Sequence, residues 1–156
     1  MGIRAKHIVI TGAVIGIGLL WYSSRLDKWQ ETMAKLKAFP TGIRNFDINF
    51  KRIRFHLDVT LYNPTNDNFY PDGIIAVIKR IVIKDLKTKP IATIGVNKSF
   101  VSLPAKGKFE LKDLIVEIPI IENLTNLQSL SNIKSIKDIQ IETIIGVLGK
   151  EYSIIK

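Results

Sequence analysis

Between Arg52 and Leu61 the chain alternates without a break: Ile53, Phe55, Leu57, Val59 and Leu61 are apolar, and Arg52, Arg54, His56, Asp58 and Thr60 stand between them. Successive side chains of an extended backbone point to opposite sides, so this pattern describes a strand with one face in a core and one in water. The strand stops at Asn63-Pro64-Thr65-Asn66. Proline has no N–H to give a ladder, and Asn and Asp side chains bond their own turn. The fold therefore has to bury one face of this strand and turn sharply after it.

The same period recurs along the chain. Phe46, Ile48 and Phe50 alternate with Asn45, Asp47 and Asn49. A β-branched run covers Ile74–Lys84, and its alternation slips at Lys79-Arg80, as a β-bulge makes it do. Ile91–Val96, Phe109–Ile118, Ile139–Val147 and Tyr152–Ile155 read as further strands, with connections at Leu86–Lys89, Leu103–Gly107 and Gly149-Lys150. Strands this short with turns this frequent predict an all-β sandwich for residues 43–156. Ile121, Leu124, Leu127 and Leu130, spaced by three, predict a short helix at one end of the sheets. With 156 residues, 46% of them apolar, the chain has room for one ordinary domain and its core.

Ahead of the strands, Ile8–Tyr22 carries no charge, with Arg4, Lys6 and His7 before it and Arg25 and Lys28 after. As a helix that run rises about 22 Å. From Ala5 to Ser24 the rise reaches about 30 Å, the thickness of a bilayer core, if Lys6 snorkels to the headgroups. Ile8, Gly12, Gly16, Leu20, Trp21 and Tyr22 are the expected membrane-spanning positions, with the two aromatics at the interfacial belt and the glycines at small-xxx-small spacing. A cleaved secretory signal or a buried core helix would share the apolar run, but Trp21-Tyr22-Ser23-Ser24 is a poor cleavage site. Leu26, Trp29, Met33 and Leu36 then recur at spacings of three and four, with a Glu31–Lys35 pair, and predict an amphipathic helical stalk as far as Phe39. Phe39-Pro40-Thr41-Gly42 reads as its terminator. The expected organisation is a membrane anchor helix over 1–24, a stalk over 25–42 and a sandwich over 43–156. Such a chain is a single-pass membrane protein of a bacterial envelope or a virion.

Four pieces in order carry a resemblance. They are Asn63-Pro64, Leu103-Pro104-Ala105-Lys106-Gly107, Val116-Glu117-Ile118-Pro119 and the final Ile139–Val147 strand. Together they resemble the water-stress-and-hypersensitive-response (WHy) domain of group-2 late-embryogenesis-abundant proteins, over roughly residues 43–156. The resemblance implies an immunoglobulin- or fibronectin-III-like sandwich, no catalysis and often an N-terminal membrane segment. It marks Asn63, Pro64, Leu103, Pro104, Gly107 and Pro119 as motif positions.

Chemistry is sparse in the sequence. Cysteine is absent, which removes disulfides, thiolate metal sites and an acylated N-terminal cysteine. His7 falls at the bilayer boundary, and His56 on the polar face of the central strand, on the same side as Asp58, without a nucleophile or third ligand at motif spacing. No phosphate loop follows a strand, and the fourteen acids are dispersed. No catalytic, cofactor or metal site is expected, and the chain is read as a non-enzyme. Lys51, Arg52 and Arg54, with His56, form a basic patch in a chain of net charge +9. Without an interleaved aromatic to stack a base, that patch suits an anionic surface better than a specific nucleic acid. The expected function is a membrane-anchored structural or interaction module, with the bilayer and a protein partner or a second copy as its contacts. A virion assembly component of a bacterial virus and a carrier of a lipid or small ligand are the alternatives.

Overall fold

The structure, a computed structural model, describes residues 30–69, 76–87, 89–100, 102–120, 133 and 135–155. The expected anchor helix, the first part of the stalk and the leucine-spaced helix over 121–130 lie outside the described residues. Among the described residues no helix is long and apolar enough to cross a membrane.

The strands are β1 (Lys37–Ile48), β2 (Arg52–Tyr62), β3 (Ala76–Asp85), β4 (Pro90–Phe100), β5 (Lys108–Pro119), β6 (Ile139–Val147) and β7 (Lys150–Ile155), with a 3-10 turn at Ile136–Asp138. They form two antiparallel sheets, ordered β1-β2-β5 and β4-β3-β6-β7. One apolar core joins them: Phe55, Leu57 and Leu61 from the first sheet share it with Ile78, Ile81, Ile83, Ile141 and Ile145 from the second. The β2 pattern holds as expected, with Ile53, Phe55, Leu57, Val59 and Leu61 all buried. Thr60, expected in water, is 4% exposed, and its hydroxyl donates to Thr41 Oγ1 on β1 at 3.3 Å.

Two expectations need correction. Residues 30–35 are helical, but the helix does not run to Phe39, because β1 has begun at Lys37. The Phe39-Pro40-Thr41-Gly42 breaker is inside this strand and does not separate a stalk from a domain. Strand β1 is at the edge of its sheet, so Pro40 forfeits no ladder bond on its outer side, and the register shifts between Pro40 and Gly42. Met33 and Leu36, from the expected amphipathic stripe, are buried in the sandwich core. The last turn is also one residue earlier than expected. Val147 pairs with Lys150, and Leu148 and Gly149 both have positive φ (48° and 78°), the geometry of a two-residue type I′ hairpin turn.

The register slip expected at Lys79-Arg80 is present against both neighbours of β3. Three edge strands are irregular too. Asn45 (φ 52°) interrupts β1, Asn97 (φ 47°) β4 and Asp113 (φ 62°) β5, each close to a register shift. The fourth edge, β7, pairs with β6 residue for residue.

Candidate functional site

Five of the six motif positions meet at one end of the first sheet. Asn63 follows the last residue of β2 and is 0% exposed. Its amide nitrogen donates to the carbonyls of Asp67 (2.8 Å), Pro104 (3.1 Å) and Leu103 (3.3 Å). Its amide oxygen accepts from the Thr65 N–H (3.0 Å) and hydroxyl (2.7 Å), and its backbone N–H donates to Gly107 O at 3.0 Å. The two turns are bound further by a reciprocal Phe69–Leu103 bridge, by Lys106 N–H on Thr65 O and by the Lys106 ammonium on Pro64 O. Gly107 is a steric requirement: a Cβ there would lie 2.5 Å from Pro104 Cγ and 2.8 Å from Pro104 O. Pro119 is apart, at the other end of β5 opposite Arg52. The motif residues are thus a hydrogen-bonded tie between two turns, with their polar atoms engaged inward.

The charged groups gather on the outer face of the same sheet. Bulges in β1 and β5 flank the middle of β2, and they aim Arg44 and Asp113 across it. Arg44 Nη2 donates to Asp58 Oδ1 at 2.8 Å and lies 3.5 Å from Asp113 Oδ1. The Asp113 N–H donates to Asp58 Oδ1 at 2.8 Å, and His56 Nδ1 lies 2.6 Å from Asp113 Oδ1. The partner of His56 is therefore Asp113 and not Asp58, and the imidazole is not simply solvated as the sequence suggested. The His56 hydrogen bond, aided by the His56 and Arg44 charges, holds the Asp113 carboxyl below its ordinary range against the opposing effect of desolvation. The outer face of the second sheet is similar. Glu151 takes Arg80 bidentately (2.7 and 3.1 Å) and Lys79 at 3.2 Å, and Glu142 takes Lys84 at 2.6 Å.

The residues of the basic patch read from sequence differ in their surroundings. Arg52 pairs with Glu117 at 3.2 Å, His56 is held by Asp113, and Arg54 Nε is buried without a hydrogen-bond partner. Lys51 stands at the β1–β2 turn beside Phe50, which is 99% exposed. Asn49 to Arg52, with Glu117 and Pro119, line an open groove of about 590 Å³ on the outside of that end. Among the described residues no group of three His, Cys, Asp or Glu is placed to hold a metal.

No family model matches the sequence, and no curated protein matches it. Among solved structures the chain is similar to a protein from Archaeoglobus fulgidus, at 11% identity over 78% of this chain and 88% of that one, with a TM-score of 0.38. It is similar also to a structural-genomics target, at 9% identity over 77% of each chain and a TM-score of 0.33. A third is a solution structure of a protein assigned as late embryogenesis abundant (LEA), at 16% identity over 92% of this chain and 86% of that one, with a TM-score of 0.30.

Proposed function

We propose that the chain is a non-catalytic interaction module on a WHy-like, fibronectin-III-type sandwich, tethered to a membrane by its N-terminal apolar segment. The strand orders β1-β2-β5 and β4-β3-β6-β7 support the fibronectin-III-type reading. The observation that carries the functional reading is the Asn63 tie. The residues a family motif would mark are spent on fastening two turns, at the end of the sheet where β1 begins and the N-terminal segment joins. Reinforcement there suits a domain held by one end. Asp58, Asp113, Glu142 and Glu151 are engaged by neighbouring cations, and among the described residues apolar side chains from both sheets pack into one core, which favours a packed module over a carrier.

The test is fractionation of the full chain. It should stay with membranes through alkaline carbonate, keep its intact mass, and bring a protein partner or a second copy with it on crosslinking in mild detergent. Loss of the first two dozen residues by mass would remove the tether. A stoichiometric lipid extracted from the pure protein would favour the carrier.

A further inference from the structure

We propose that the end of the sandwich holding the Asn63 tie lies against anionic lipid headgroups, through Lys37, Lys98, Lys106, Lys108 and Lys150. This rests on the tethered reading above and adds which face meets the bilayer. The strand register brings these residues together. Lys37 and Lys108 both pair with Tyr62, one from each side of β2. Lys106 is on the adjoining turn, with its N–H on Thr65 O. In the second sheet Lys150 opens β7 opposite Val147, which pairs with Ala76 at the start of β3, and Lys98 pairs with Ile78 two residues on. The Lys98 ammonium is 5.7 Å from the centre of the Phe109 ring, next to Lys108, which fixes both sheets at this one end.

All five lysines are exposed. Among the described residues the facing turns contribute one carboxylate without a cation of its own, Asp67, because Glu110 is held by Lys112 and Glu151 by Arg80 and Lys79. At the opposite end Asp47, Asp85, Glu117 and Asp138 interleave with the cations, so among the described residues the positive excess is greater at the end where β1 begins. Leu148, half-exposed at the tip of the β6–β7 turn, gives this face an apolar point beside Lys150. Strand β1 sets the scale. Its length places Lys51 roughly 35 Å from Lys37, several Debye lengths away, so the patch expected from sequence cannot share the same surface. Five lysines within a Debye length of an anionic leaflet are a substantial attraction, each contributing about a fivefold factor in partitioning. Nucleic acid is the other polyanion they could meet. The tether and the apolar tip favour lipid.

The chain has no cysteine, so one reporter can be placed at will. In full-length protein reconstituted into vesicles, a fluorophore on Asn66→Cys reads the lysine end and one on Asn49→Cys reads the far end, against a quencher on the lipid headgroups. The Asn66 reporter should be quenched in phosphatidylcholine vesicles containing about 30% phosphatidylserine, and released by about 0.5 M salt. It should also be released by Lys98→Gln, Lys108→Gln and Lys150→Gln combined. The same charge removed at the far end, as Lys51→Gln, Lys87→Gln and Lys89→Gln, should leave it quenched. Equal release by both triple variants, or quenching indifferent to phosphatidylserine, overturns the proposal. So does release by a stoichiometric single-stranded oligonucleotide. If the chain leaves neutral vesicles on washing, the tether reading falls. Flotation with phosphatidylserine vesicles then decides the docking alone: a roughly hundredfold drop for the first triple variant supports it, and an unchanged affinity overturns it.

Discussion

Asn63 uses its side chain fully: three carbonyls accept from its amide nitrogen and two Thr65 donors reach its oxygen. Asn63→Ala leaves buried carbonyls without a donor and should cost about 2–4 kcal/mol in urea unfolding. Asn63→Asp should cost a similar amount, since a carboxylate cannot donate to those carbonyls. The opposite sign is expected at Thr143, whose hydroxyl oxygen is buried without a hydrogen-bond partner. Thr143→Val keeps the shape, removes the unpaired group and should raise stability by about 1 kcal/mol, read as a higher Tm. The sequence shows that Asn63-Pro64 ends a strand, because that follows from local backbone chemistry. It cannot show that Asn63 reaches Leu103 and Pro104, since only the folded register brings positions 40 and 41 residues away into contact. His56 is the same case, with its partner Asp113 57 residues along the chain.

At the scale of strands, the apolar spacing contains more than alternation. In β3 the step from Ile78 to Ile81 is three where two is the rule, and the bulge is there. Strand β5 has the same step from Leu111 to Leu114, and the register shift falls across it, so the bulge that aims Asp113 is legible by the same rule. The start of β1 was not legible. A Pro-Thr-Gly run ends a central strand or a helix but is tolerated at a sheet edge, and edge position is a property of the whole sheet. The central register is itself testable. Leu57→Asp puts a charge into the shared core and should abolish cooperative unfolding. Arg52→Gln, which breaks only the half-exposed Glu117 pair, should move Tm by no more than a few degrees. Equal effects would place the wrong face of β2 inside.

For the whole molecule, acid is the informative variable. Asp113 on one sheet and Glu142 and Glu151 on the other have their pKa values lowered, by His56, Lys84 and Arg80 respectively as the largest causes. A depressed folded-state pKa means the unfolded chain takes up protons first as pH falls. Stability from these groups is therefore complete above the ordinary carboxylate range and is lost as pH drops through it and below. Tm should hold from neutrality down to that range and then decline, and Asp113→Asn should make the decline shallower; a Tm that rises on acidification would contradict the pairing. The edges of the two sheets have a consequence for association. A strand adds to a sheet by meeting a straight row of free N–H and C=O groups. Left-handed residues break that row on β1, β4 and β5, and Pro40 removes a donor on β1 as well, which leaves the six residues of β7 as the regular edge among the described residues. If two copies pair along that edge, the pair has no regular edge left among the described residues to offer a third. Growth by that route would end at two, where a fibre needs every copy to be open on both sides.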